Sequence, residues 1–312
     1  MILSTLDKSR KGGAYEQIPS LVLGQRWTPQ LNSRNMMKVV LCVWIEPYIE
    51  NDLSFCVWPV HTPTTSKEVL TLSASTSPLP YTGNKSCIVN TILSVMPKHT
   101  VYIDPCMGSA KVFFRKPRAE KEILNDYNGD LVNLFRVIQN NEKLAYLLGR
   151  LYLSINGELA FKQNKDRLKG VPNILDDVIE TSQIFYDASW EDIQNAAAFL
   201  ENQIYSFSST GQTFGIARRD MSQRLPRLMS AYNRIRDAII LHRDYKDVIT
   251  YAACPGSFIL LDPPYKGTED MYSKANFDIE QHDILFSFMS EVNQQHHGEV
   301  KFLITYNNDP YI

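Results

Sequence analysis

Two hydrophobic patterns alternate over the later part of the chain, and their order predicts an α/β fold. Short apolar runs that end in a polar residue predict buried strands of a parallel sheet. They are Thr100–Asp104, Glu122–Asp126, Ser257–Asp262 and Val300–Thr305. Apolar positions at helical spacing predict amphipathic helices between them. These lie at Lys85–Met96, Leu131–Ile138 and Ile279–Val292. Alternating strands and helices indicate a doubly wound, Rossmann-like sheet.

The patterns also predict how the chain is divided. In the N-terminal segment, Met37–Tyr48 and Leu53–Val60 read as strands, and 61–80 is a linker rich in Thr, Ser and Pro. We therefore leave 1–77 unassigned. The outer parts 78–139 and 251–312 form one domain, and the mostly helical range 140–250 is an insert in it.

Composition narrows the classes of function. The 312 residues carry a net charge of -2, which excludes a wholly basic nucleic-acid coat and leaves room for a local basic patch. The five cysteines are scattered and form no C-x-x-C pair, so we expect no metal site, no disulfide framework and a cytoplasmic location. Neither a signal peptide nor an apolar run of about 18 residues is present, so we expect no membrane contact.

The tetrapeptide Asp262-Pro263-Pro264-Tyr265 follows the buried run Ser257–Asp262. A planar amine such as that of adenine is a poor nucleophile, and acceptors aimed at its N–H groups favour a more pyramidal nitrogen. The Asp262 carboxylate and the Pro263 carbonyl can supply these acceptors. The two prolines stiffen the loop, and Tyr265 offers a face on which an extruded base can stack. The structural alternative is a tight turn after the strand, with the Tyr265 side chain packed in the core.

A second candidate site lies between Tyr102 and Ala110, where Gly108, Ser109 and Ala110 allow a cofactor to approach the backbone closely. This segment lacks the G-x-G-x-x-G pattern of a dinucleotide site. Asp126 lies eighteen residues after Gly108, an interval at which acids commonly hold ribose hydroxyls. A tight strand-to-helix turn and a helix cap are the structural alternatives.

Taken together, four segments resemble the Dam-like group of DNA adenine-N6 methyltransferases over about residues 78–312. They are Pro80–Ser86, Tyr102–Gly108, Leu124–Leu131 and Asp262–Tyr265. The resemblance implies S-adenosylmethionine as cofactor and double-stranded DNA as partner, in a bacterial or phage-encoded enzyme. Tyr81 and Lys85 would help to cradle the cofactor. Asp104, Pro105 and Gly108 would form its loop, and Asp126 would hold its ribose. Asp262, Pro263, Pro264 and Tyr265 would bind the adenine, with Asp262 also beside the cofactor.

The chain departs from this group at two places. Cys106 stands where the group usually has an aromatic residue. The group also continues beyond the strand matched by Val300–Asn307, whereas this chain ends at Ile312. We therefore expect the C-terminal strands to be missing and that edge of the sheet to be bare. If the edge is covered, the N-terminal 77 residues are the candidate replacement.

DNA recognition in the resembling group falls in the region matched by 140–250. Between 215 and 243 the chain has seven arginines, of which we predict that Arg218, Arg219, Arg227 and Arg234 contact DNA. Ser206–Gly215 is a candidate loop near the target base. A solvated helix face and a mobile connector are the respective structural alternatives.

These observations predict methyl transfer to N6 of adenine, by direct displacement on a flipped-out base. Methylation of cytosine N4, RNA adenine or protein glutamine remains open, because each target is a planar amine. So does an inactive, truncated fragment that only binds DNA. A cytosine-C5 enzyme is disfavoured, because it needs a cysteine nucleophile that the Asp262–Tyr265 segment lacks.

Overall fold

The fold is described from a computed structural model. It describes residues 76–81, 85–176, 189–217, 219–264 and 279–307, together with the backbone of strands at 38–41, 44–45 and 55–56. The strands are β1 (Lys38–Leu41), β2 (Trp44–Ile45), β3 (Phe55–Cys56), β4 (Val101–Asp104), β5 (Lys121–Asn125), β6 (Ile239–Leu241), β7 (Ser257–Leu261) and β8 (Lys301–Asn307).

Helices connect the strands and cover both faces of the sheet. They are α1 (Val89–Val95), α2 (Lys111–Arg115), α3 (Gly129–Gln139), α4 (Asn141–Tyr152), α5 (Glu158–Lys169), α6 (Trp190–Tyr205), α7 (Leu225–Ile235), α8 (Tyr245–Ala252) and α9 (Ile279–Gln295). The Asn128 side chain caps α3 by accepting a hydrogen bond from the Asp130 amide.

The larger sheet has the strand order β1-β8-β7-β4-β5-β6 in the described part of the chain. The five strands from β8 to β6 are parallel. This order reverses at β4, because the chain moves outward to β5 and β6 and then returns to β7 and β8. Ligands of such sheets bind at the carboxyl ends of the strands next to the reversal. The predicted doubly wound α/β class is confirmed.

The edge beside β8 is not bare, and this expectation from the sequence is wrong. Strand β1 pairs with β8 in the antiparallel direction, with Val40 opposite Thr305. A segment from before the assigned domain thus provides the partner that we expected to be missing. The sequence signal for it was the apolar run within Met37–Tyr48, a predicted strand in the N-terminal segment that was the candidate replacement for this edge.

The predicted insert ends earlier than its predicted bound of 250. Strand β6 and helix α8 lie within the range 140–250, yet β6 pairs with β5 in the main sheet. The mostly helical insert between the sheet elements therefore ends before Ile239. Its helices pack on the face of α3 and share one apolar core with it. The opposite face of the sheet has a second core, formed with α8 and α9.

No helix in the described ranges combines the length and apolar character that crossing a membrane requires.

Candidate functional site

Three acids predicted from the sequence meet at the carboxyl edge of the sheet. Asp104 is the last residue of β4, Asp126 follows β5, and Asp262 follows β7. Their charges act on one another, since Asp262 raises the pKa of both other carboxyls. The parallel strands that the apolar runs predicted are the cause of this convergence.

Asp262 is held by two donors from different parts of the chain. One carboxylate oxygen forms an ion pair with the buried ammonium of Lys85. The other accepts a hydrogen bond from the Thr305 hydroxyl of β8 at 2.6 Å. Pro263 is buried and Pro264 is half-buried, whereas Tyr265 lies outside the described residues. The carboxylate is thereby fixed at the start of the Asp-Pro-Pro turn.

The loop after β4 contains a glycine that lies against Tyr81. Gly108 has a φ of 47°, in the left-handed region that glycine tolerates best. A Cβ at this position would lie 3.8 Å from Cδ1 of Tyr81. The Tyr81 ring therefore lies over the loop. Its hydroxyl accepts a hydrogen bond from the side-chain amide of Asn128 at 3.3 Å. Tyr81 and Gly108, two of the predicted cofactor-binding residues, therefore lie side by side.

Asp126 connects this loop to the next strand. One of its carboxylate oxygens accepts a hydrogen bond from the backbone amide of Gly108. The other accepts from the backbone amide of Asn128, and each distance is 2.9 Å. Burial raises the pKa of Asp126 to about 6, while the amide donors act in the opposite direction. Asp126 thus joins the two turns, whereas the helix-cap role passes to Asn128.

Asp104 is the most deeply buried of the three acids, at 3% exposure. Tyr102 donates a hydrogen bond to it at 2.9 Å. Burial raises the pKa of Asp104 to about 8, and repulsion from Asp262 and Asp126 adds to this effect. Asp104 therefore binds a proton more tightly than a solvent-exposed aspartate does. Burial also raises the pKa of the neighbouring Cys106 thiol.

A buried ionic cluster lies behind Tyr102. Glu122 of β5 accepts from Lys116 at 2.5 Å and from both terminal nitrogens of Arg234 at 2.5 and 2.8 Å. The Arg234 guanidinium also lies 3.7 Å above the ring centre of Phe113. Arg234 is only 8% exposed, so its predicted DNA contact is wrong. It is on the helix face that packs against α2 and β5, where an arginine needs a buried acid as partner.

The other predicted DNA contacts are distributed differently. Arg218 lies outside the described residues, Arg219 is half-buried, and Arg227 is exposed. Arg224 lies close to them: burial lowers its pKa, as do the charges of Arg227 and Arg219. These three arginines, Arg219, Arg224 and Arg227, form what we name the basic cluster.

The Ser206–Gly215 segment is a short hairpin beside the basic cluster. Ser206 pairs with Phe214, and the Phe207 amide donates to the Thr213 carbonyl at 2.8 Å. The Phe207 side chain is 68% exposed. Asp220, next to the basic cluster, acts electrostatically on Tyr205 at the base of the hairpin. The predicted loop and two of the predicted arginines, Arg219 and Arg227, thus lie at one end of the insert.

Three site residues were missed from the sequence. Thr305 holds Asp262, Asn125 lies between the loops after β4 and β6, and Asp244 follows β6. Asp244 acts electrostatically on Cys106, so it faces the loop after β4, and it also caps α8. A polar residue at the end of an apolar run is the signal for Thr305 and Asn125, whereas Asp244 lies three residues beyond the short strand β6. No group of metal-binding side chains was found in the described ranges.

Comparisons with known proteins find one family and several relatives. A family model described as D12 class N6 adenine-specific DNA methyltransferase matches residues 81–312. The DNA N-6-adenine-methyltransferase of Escherichia phage P1 is 24% identical over 249 residues, which cover 74% of this chain and 30% of that protein. Modification methylase StsI of Streptococcus sanguinis is 25% identical over 247 residues, which cover 73% of this chain and 35% of that protein. The chain spans about a third of the length of these relatives.

Proposed function

The chain belongs to the D12 class of N6 adenine-specific DNA methyltransferases, and on that premise we propose that it methylates N6 of adenine in double-stranded DNA. The methyl donor in this proposal is S-adenosylmethionine. The observation that supports it best is the fixed carboxylate of Asp262, at the start of the Asp-Pro-Pro turn and beside two further acids.

The acid cluster suits a cationic cofactor. Burial and mutual repulsion raise the pKa values of Asp104 and Asp126, so a ligand with positive groups would stabilise their ionised forms. S-adenosylmethionine carries a sulfonium and an ammonium group, and when bound it supplies an electrophilic methyl group. Tyr81, Gly108 and Asp126 frame a close-fitting cradle, in which Asp126 has acceptors for ribose hydroxyls. Lys85 provides a buried cation beside Asp262.

Asp262 and Pro263 would hold the target amine. The Asp262 carboxylate accepts from one N–H group of adenine, and the Pro263 carbonyl accepts from the second. These acceptors draw the lone pair out of conjugation and stabilise the positive charge that develops on the nitrogen. Lys85 and Thr305 fix the carboxylate before the substrate arrives, so little reorganisation is needed during the reaction.

The hairpin end of the insert would contact DNA. The basic cluster can neutralise phosphates, and the exposed Phe207 can contact bases. The Phe199 ring of α6 lies 6.3 Å from that of Tyr81. The hairpin begins at Ser206, seven residues after Phe199, which corresponds to about 10 Å of helix. This spacing supports a DNA contact at the hairpin, about 10 Å of helix from the residue that touches the cofactor cradle.

Methyl transfer from labelled S-adenosylmethionine to unmethylated duplex DNA, followed by digestion to nucleosides, tests the proposal. The expected product is labelled N6-methyldeoxyadenosine. If the label appears instead in N4-methylcytosine, or only in RNA or protein offered as parallel substrates, the target is one of the alternative amines and not adenine in DNA. Binding of DNA without transfer, under conditions in which a known adenine methyltransferase is active, would support a binding-only fragment.

A further inference from the structure

The side chain of Asn125 joins loops that are far apart in the sequence. Asn125 is the last residue of β5 and is 1% exposed. Its amide nitrogen donates to the carbonyls of Pro105 at 2.8 Å and Arg243 at 2.9 Å. Its amide oxygen accepts from the Arg243 backbone at 2.8 Å. One side chain therefore fixes the loop after β4 to the loop after β6.

Backbone contacts extend this connection along the loop after β4. The Asn125 carbonyl accepts from the Met107 amide at 2.8 Å. The next residue, Asp126, accepts from the Gly108 amide. Positions 105, 107 and 108 are thus all held by two consecutive residues at the end of β5. The spacing between the acids on these loops depends on this connection.

The chemistry of the amide group fits this place well. Two carbonyls need donors and one N–H needs an acceptor, and an asparagine side chain supplies all three partners at the right reach. An aspartate has no donor when ionised, and its charge would face both carbonyl oxygens at hydrogen-bond distance. Leucine has neither a donor nor an acceptor and would leave three buried polar groups unsatisfied.

We propose that Asn125 is a positioning residue that sets the width of the cofactor cradle, by holding the loop of Pro105–Gly108 against the loop of Arg243 and Asp244. This inference rests on the proposed function for the identity of the ligand. The connection between the loops is independent of the ligand.

Asn125→Asp and Asn125→Ser test the inference in the full chain. Hydrogen exchange at the Met107, Gly108 and Arg243 amides should become faster in the free protein. Affinity for S-adenosylmethionine by calorimetry should fall by about tenfold or more, as expected for the loss of well-placed hydrogen bonds. In turnover, the KM for the cofactor should rise more than kcat falls, while affinity for DNA changes little.

Asn195→Asp is the matched control. Asn195 is also buried, but it lies on α6 and accepts from Arg167, so an acid there keeps its partner. Cofactor affinity should stay at the wild-type level in this variant. If Asn125→Asp does not fold, Asn125→Ser, which keeps one hydroxyl and adds no charge, provides the same measurements.

The outcomes separate the two proposals. Faster exchange with weaker cofactor binding supports the inference. A lower melting temperature with unchanged cofactor affinity, or unchanged exchange at Met107 and Gly108, overturns it. If the wild-type chain does not bind S-adenosylmethionine at all, the proposed function fails and so does the assignment of the cradle to that cofactor. The exchange data then still decide whether Asn125 connects the loops.

Discussion

Asp262 is held by one cation and one hydroxyl. The residues that orient this acid are therefore different from the acid that would contact the substrate. The Thr305 hydroxyl donates to one oxygen and Lys85 pairs with the other. Each carboxylate oxygen can accept more than one hydrogen bond, so the acid can still accept from a substrate amine while both donors remain. The residue that reacts and the residues that orient it can therefore be tested separately.

Replacement of Asp262 by alanine should remove methyl transfer while the cofactor still binds. The loss of a preorganised group at the reacting centre typically costs about 100- to 1000-fold in rate. Thr305→Val, which keeps the shape and deletes only the donor, should reduce the rate by a smaller factor. Single-turnover transfer and calorimetric cofactor binding measure the two effects. Near-normal transfer by Asp262→Ala would contradict the role of this acid.

Asp104 should make the stability of the free protein depend on pH. Its folded-state pKa of about 8 lies above the usual value for aspartate, so the folded state binds the proton more tightly. This contribution is complete below the unfolded pKa and is lost as pH rises toward 8. Asp126, with a pKa of about 6, acts in the same direction at lower pH.

Asp104→Asn should therefore flatten the decline in melting temperature between pH 6 and 8. Asparagine keeps an acceptor for Tyr102 and has no charge to repel Asp262 or Asp126, or to attract Lys85. Thermal melts of both proteins across this range provide the measurement. Equal slopes would mean that Asp104 is already ionised in the free protein.

At the scale of elements, the sequence predicted strands better than helix faces. The four parallel strands with apolar runs were found, and with them the acids at their ends, because the polar residue that ends a buried strand marks the sheet edge. Strand β6 was missed because it has only three residues. Arg234 was assigned to the wrong face because Glu122, its partner, is 112 residues away. Side-chain pairing over such distances leaves no periodic signal.

Helix α7 therefore carries arginines of two kinds, which mutation should distinguish. Arg227→Ala should weaken DNA binding and flatten the plot of log affinity against log salt by about one unit, with little change in stability. Arg234→Ala leaves buried charge in the Glu122 cluster, and should lower the free energy of unfolding by about 3–5 kcal/mol. Salt titrations and denaturant melts of both variants check this. Reversed effects would place Arg234 on the DNA face after all.

For the whole molecule, the sheet brings distant segments together at one edge. The cofactor loop, the Asp262 turn and Thr305 lie on neighbouring strands, although some 200 residues separate the first from the last. The pairing of β1 with β8 extends this sheet to the N-terminal segment. The sequence could not predict this pairing, because a short strand has no pattern that identifies its partner. Antiparallel register depends on contacts that form only in the folded chain.

The position of β1 suggests that it supports the site through β8. Val40 lies opposite Thr305 and Val39 lies opposite Tyr306, so the outer strand holds the residue that orients Asp262. Successive amides of a strand point to opposite sides. Of the adjacent positions 39 and 40, one directs its N–H toward β8 and the other directs it away from the sheet.

Proline at these two positions provides a matched pair of variants. The proline that removes a ladder hydrogen bond should lower the free energy of unfolding by about 1–3 kcal/mol, because it leaves a carbonyl of β8 unpaired. It should also lower methyl transfer, since Thr305 loses its support. The other proline should have a clearly smaller effect, because edge strands tolerate proline on their outer side. Denaturant melts and hydrogen exchange at β8 measure the difference. If Val39→Pro and Val40→Pro both match the wild type, β1 does not stabilise the sheet, and the edge of β8 must be protected in another way.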